Sequence, residues 1–137
     1  MTNEKLGFVV VDFNADITKV MEKVGIEHAE FLGAKITSSL HVPGAFEVPF
    51  AAKKLLKNKE IDAVVTLGTV IEGDTDHDVV VAQHAARKIM DLSLEYNKPV
   101  SLGISGPKIS HAESVARIEE YAKRAVETAI KMIRRIK

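Results

Sequence analysis

Four short apolar runs, each followed by a longer segment whose apolar residues recur at helical spacing, leave this chain few folds to adopt. Residues 6–11 (Leu-Gly-Phe-Val-Val-Val) are apolar without alternation, as a strand must be when both of its faces are covered. Residues 35–42, 61–67 and 100–104 read as three further strands. Between them, Ile17, Val20, Met21, Val24, His28, Phe31 and Leu32 mark a first helix, with Asn14 placed to cap its start and Gly33 its end. Pro49 is tolerated in the first turn of a second helix that reaches about Asn58, and a third helix runs from about Asp76 to Tyr96. Ser110-His111-Ala112-Glu113 is a capping-box pattern that opens a fourth helix carrying Val115, Ile118, Ala122, Val126, Ala129 and Ile133. Gly106-Pro107 reads as a loop. The order βαβαβαβα with short connections implies right-handed crossovers, hence an α/β fold of three αβα layers around a four-stranded parallel sheet. At 137 residues, positions 1–137 are expected to form a single domain.

Ligands of open parallel sheets bind beyond the carboxyl ends of the strands. The segments 12–14, 43–47, 68–77 and 105–110 should therefore share one rim. Two of the five phenylalanines, Phe13 and Phe46, fall there, where they can stack on a flat ligand or simply pack. Gly73, Asp74 and Thr75 directly precede the third helix, whose free N–H groups and positive dipole end suit a phosphate, although Gly and Thr are also ordinary loop and cap residues. Glu72, Asp74, Asp76 and Asp78 oppose an anion, so a cation has to compensate, and Arg117 and Lys108 are the candidates near the rim. His77, between two carboxylates at the start of the third helix, can move protons near neutral pH, or can be an unremarkable helix-start histidine.

Other chemistries are disfavoured. Lys plus Arg and Asp plus Glu both total 19, so the chain lacks the basic field that nucleic-acid binding needs. The absence of cysteine removes disulfides, thiolate metal sites and thiol nucleophiles together. Asp74, Asp76 and Asp78 imitate the start of a calcium loop, but Val79 and Ala85 occupy the places of its glycine and glutamate. His77 and His84 stand roughly two turns apart, too far to share an ion, and no metal is expected. No glycine-rich dinucleotide or P-loop signature and no nucleophile elbow occurs. The apolar run after Lys5 is too short for a signal peptide, and no stretch approaches the roughly 20 apolar residues of a membrane span, so a cytoplasmic protein without a membrane partner is expected.

Three blocks in this order resemble the lumazine synthase family: Phe13-Asn14, then Val42-Pro43-Gly44-Ala45-Phe46-Glu47-Val48-Pro49, then residues 67–77, which end in Gly73-Asp74-Thr75-Asp76-His77. The likeness in order and spacing covers about the first 105 residues. It implies a flavodoxin-like fold and a condensation of 5-amino-6-ribitylaminouracil with 3,4-dihydroxy-2-butanone 4-phosphate, with no cofactor. It further implies that Phe13 stacks on the pyrimidine, and that Asn14, Ala45, Phe46 and Glu47 bind the pyrimidine and the ribityl chain, Glu47 accepting hydroxyls. Val70 and Ile71 would line the ring site through their backbone. Gly73, Asp74 and Thr75 would hold the phosphate and His77 would move protons. Sites of the family lie between subunits of a pentamer, which can build a sixty-subunit shell; Leu102, Ile104 and Arg117 would then reach a neighbour's site. Glu72 stands where many members carry Arg, and Asp78 follows His77 without the usual aromatic between His and Asp. The alternatives are an archaeal-type riboflavin synthase and a flavin- or lumazine-carrying assembly protein that binds without turnover.

Overall fold

A computed structural model describes residues 3–137. Its elements are β1 (Lys5–Val11), α1 (Ala15–Phe31), β2 (Lys35–Val42), a short 3₁₀ turn (Ala45–Glu47), α2 (Val48–Leu56), β3 (Ala63–Ile71), α3 (His77–Tyr96), β4 (Val100–Ile109), α4 (His111–Ala116) and α5 (Ile118–Ile136). The four strands are all parallel in the order β2-β1-β3-β4, the arrangement of a flavodoxin-like sheet. The first crossover leads β1 outward to β2, and the chain then returns past β1 to β3, so β1 and β3 are central.

The unbroken apolar runs of the central strands follow from two cores. Leu6, Phe8 and Val10 of β1, with Ala63, Val65 and Leu67 of β3, meet Ile17 and Met21 of α1 and Ala122, Val126 and Ile130 of α5. The alternate residues Val9, Val11 and Val64 meet Val48 and Leu55 of α2 and Ala85 and Ile89 of α3. A strand between two helical layers has no polar face to spare, and each fully buried Val, Leu or Phe contributes roughly 1.5–3 kcal/mol. Among the described residues no helix is long and apolar enough to cross a membrane.

Four local expectations need correction. First, β3 does not end at Leu67 but continues through Gly68 to Ile71. Gly68 serves close packing, not a turn: a Cβ there would stand 2.5 Å from Val11 Cγ2. Second, β4 runs through Gly106-Pro107 to Ile109. Its pairing with β3 shifts register between Thr69 and Ile71 and resumes at Ile71 and Ile109. Gly106, at φ 107, lies against Val70, whose carbonyl oxygen would stand 2.3 Å from any Cβ. Third, the last helix is two helices, broken at Arg117 (φ −107, ψ 6), although the capping box at Ser110 and Glu113 forms in both directions. Fourth, Asn14 makes no side-chain cap. It sits in the left-handed region (φ 64, ψ 52), and its carbonyl accepts from the N–H groups of Ile17 and Thr18 at 2.9 Å each. Gly33 at φ 87 follows α1 as expected.

The chain's two ends are tied together by one ion pair. Glu4, only 6% exposed, accepts from Arg134 Nε at 3.2 Å and Nη2 at 3.1 Å, and Arg134 Nη2 also reaches the carbonyl of Leu32. The Arg134 hydrogen bond holds the Glu4 carboxyl below the usual carboxylate range. A lowered folded value means stabilisation that is fully present above the ordinary carboxylate pKa and lost as pH falls through the folded value. Glu4→Gln should therefore be less stable at neutral pH and lose less stability on acidification than wild type. Denaturant unfolding across that acid range would show it, and parallel curves for the two proteins would deny the pair this role.

Candidate active site

A cavity of about 520 Å³ opens where β1 and β3 end. Its walls come from four places: Val11, Phe13 and Asn14 at the exit of β1, Gly44 to Glu47 after β2, Thr69 to Ile71 at the end of β3, and His77, Val80 and Val81 on α3. The first two walls are joined by backbone bonds, Asp12 N–H to Val42 O at 2.7 Å and Phe13 N–H to Pro43 O at 3.0 Å. Gly44 lets the Phe13 ring approach, since a Cβ at that position would lie 3.1 Å from two ring carbons. Phe13 and Phe46 are 64% and 66% exposed, large apolar faces turned outward at the rim instead of into a core.

Glu47 closes the 3₁₀ turn on itself. Its Oε1 accepts from Gly44 N–H at 2.9 Å, and its own N–H donates to Gly44 O at 3.1 Å. The carboxylate is thereby oriented with Oε2 making no bond among the described residues, an acceptor available to a ligand hydroxyl. His77 is the exposed first residue of α3, and its backbone N–H donates to Thr75 Oγ1 at 3.3 Å. Apolar walls, two aromatic faces, one oriented carboxylate and one imidazole suit a flat, hydroxylated ligand undergoing proton transfer.

Of the residues singled out in the sequence, Phe13, Asn14, Ala45, Phe46, Glu47, Val70, Ile71 and His77 all line this cavity. Gly73, Asp74 and Thr75 lie on the exposed turn that leads into His77, with open space around Gly73. Leu102 and Arg117 are not brought to it. Leu102, 50% exposed on β4, borders a separate cavity of about 120 Å³ with Ala82, Ile104 and Pro107. Arg117 is exposed at the break between α4 and α5.

Sequence reasoning missed Val11, Val80 and Val81, and it placed Gly44 and Thr69 in segments at the rim without giving either a role. Val80 and Val81 were within reach, because positions three and four after His77 share its face of a helix. Thr69 carried no local signal. Its hydroxyl lies buried behind the cavity in a triangle with Ser105 and Ser114, at 2.8, 2.8 and 3.2 Å, which joins β3, β4 and α4.

The model of the family described as 6,7-dimethyl-8-ribityllumazine synthase matches residues 3–137. The match thus extends through the last helices, past the 105 or so residues over which the motifs are recognisable. Relatives bearing that same name include one from Archaeoglobus fulgidus, 58% identical over 137 residues, covering 100% of this chain and 95% of the relative. A second, from Methanosarcina barkeri, is 62% identical over 131 residues, 96% of this chain and 97% of the relative. A third, from Methanocaldococcus jannaschii, is 57% identical over 132 residues, 96% and 93% of the two chains. Matched from its first described strand to its last helix, with the motif residues gathered around one cavity, the chain belongs to the 6,7-dimethyl-8-ribityllumazine synthase family.

Proposed function

We propose that this protein condenses 5-amino-6-(D-ribitylamino)uracil with 3,4-dihydroxy-2-butanone 4-phosphate to 6,7-dimethyl-8-ribityllumazine, with loss of phosphate and water, as a step of riboflavin biosynthesis. The observation that carries the reading is the meeting of Phe13, Phe46, Glu47 and His77 around one cavity in a chain matched over its length by relatives of that name. Those names favour the condensing enzyme over the riboflavin synthase and carrier alternatives. Phe13 stacks on the pyrimidine, Asn14, Ala45 and Phe46 border it and the ribityl chain, and Glu47 accepts ribityl hydroxyls. Backbone groups of Val70 and Ile71 hold the ring. Gly73, Asp74 and Thr75 receive the phosphate on the exposed turn, and His77 moves protons as the amine attacks the ketone, phosphate leaves and the ring closes. Such chemistry rests on positioning and proton transfer more than on a covalent nucleophile.

A homo-oligomer belongs to the same proposal. Neither the exposed Arg117 nor the half-exposed Leu102 lines the cavity of its own chain. A neighbouring subunit of a pentamer, free or within a sixty-subunit shell, supplies both. Residues 1–137 act as one domain, and the phosphorylated, hydrophilic substrates fit a cytoplasmic site.

The direct test is to mix protein with the two substrates and follow lumazine absorbance and fluorescence against a protein-free control. No acceleration by folded, assembled protein would reject the reading. Sharing of sites has its own test. His77→Ala and Arg117→Ala, each slow alone, should regain turnover when unfolded together and reassembled, because some mixed interfaces then carry both native residues. No gain over the separate variants would place Arg117 outside the neighbour's site.

A further inference from the structure

Asp78 is, with Glu4, one of two buried carboxylates among the described residues, at 7% exposure, and none of the steps above uses it. It occupies the first turn of α3, next to His77. Its Oδ2 accepts from the backbone N–H of Lys108 at 2.9 Å, thirty residues along the chain. Lys108 adopts φ 58, in the left-handed region, within the stretch of β4 where pairing to β3 has slipped register. At this irregularity the Asp78 carboxylate is the acceptor that the Lys108 N–H finds. Burial of a carboxylate is costly unless it is hydrogen-bonded, and the positive end of α3 adds a second favourable term.

We propose that Asp78 is a positioning residue for His77: its carboxylate clamps the first turn of α3 to the Lys108 peptide and so sets where the imidazole stands relative to the cavity. The inference rests on the proposed condensation. Its geometric basis is that the flanking anchors of His77 are unequal. On one side lies the exposed turn 72–76, whose Thr75 Oγ1 accepts from the His77 N–H at a long 3.3 Å and whose tie to the sheet is made at its far end, Glu72 N–H to Ile109 O at 2.8 Å. On the other lies the clamp, which joins α3 to the segment of β4 carrying Gly106, packed directly on Val70 of the cavity wall. Through that contact α3 and the β3 wall are held at one separation. A shift of about 1 Å in a group that moves protons can cost on the order of 10²-fold in rate.

The clamp needs an acceptor at the end of the side chain, which asparagine also offers and alanine does not. Asp78→Ala should lower kcat by about tenfold or more, with KM for the pyrimidine changed by less than about twofold. Asp78→Asn should recover most of the loss. In a His77→Ala background, Asp78→Ala should have no further effect on the residual rate, since it acts through the imidazole. Equal losses with Asn and Ala, or an undiminished effect of Asp78→Ala in the His77→Ala protein, would overturn the proposal. Should the alanine variant fail to assemble, Asp78→Ser takes its place in both arms, being suited to a first helical turn but too short for the 2.9 Å contact. Wild-type protein that makes no lumazine would overturn the proposed function and this inference with it, whereas active wild type with either result above overturns the inference alone.

Discussion

His77→Ala is expected to slow lumazine formation by about 10²-fold or more, the usual contribution of a positioned general acid–base group, which corresponds to roughly 2.7 kcal/mol of barrier. The loss should appear in kcat. His77 borders the cavity at its α3 wall, while the two rings and Glu47, which would hold the pyrimidine, belong to the segments that follow β1 and β2. Stability and assembly should be unchanged, for the side chain is exposed and the contact that shapes its turn uses the backbone N–H, which alanine keeps. Steady-state kinetics beside size analysis gives the answer. A variant with the wild-type kcat would remove His77 from the mechanism, and a variant that falls apart would show that its role is structural.

Gly103→Ala is expected to have the largest effect on stability. Gly103 lies on β4 opposite Leu67 of β3, beneath α5. A Cβ at this position would stand 2.4 Å from the carbonyl oxygen of Thr66, 2.8 Å from Ala125 Cβ and 2.9 Å from Leu67 Cδ2. The first neighbour is sheet backbone and the second a one-carbon side chain on a packed helix, so neither can rotate away. Relief requires β4 or α5 to move. Overpacking in a core costs about 1–3 kcal/mol and occasionally more, and we expect about 3 kcal/mol, hence a Tm lower by about 10 °C in a domain of this size. Gly73→Ala is the matched control, with nothing near its Cβ position and an expected change within about 0.5 kcal/mol. Thermal unfolding of both decides, and a Gly103→Ala protein that melts with wild type would mean that the sheet yields at this crossing.

The α/β class and the central strands were readable because burial on both faces leaves a signature in residue type alone. Leu6 to Val11 has to be apolar throughout when alternate side chains serve different cores. The rim was readable by topology for the exits of β1, β2 and β3, whereas residues 105–110, expected to share it, belong to β4 and the cap of α4 and line none of the cavity. What escaped was information held by distant partners. Gly68 and Gly106 look like turn residues until Val11 and Val70 are seen pressing on them. The break at Arg117 lies inside an apolar periodicity that continues across it, from Val115 and Ile118 onward. Asn14 is a favourable cap by type, yet the left-handed backbone before α1 turns its side chain to other use. Leu102 and Arg117, named by resemblance alone, do not line the cavity of their own chain.

The division of the interior into two cores also separates what can be altered in this protein. Val11 and Ala45 of the cavity belong to the core beneath α2 and α3, and Val70 and Val81 pack against it; Ile71 alone leans on the other. Volume changes under α1 and α5, at Met21, Ala122 or Ile130 for example, face the far side of the sheet. That half can be repacked to tune the melting temperature while the contour of the pocket stays as it is. Repacking the α2 and α3 half reshapes the pocket itself, and so is the route to a different ligand.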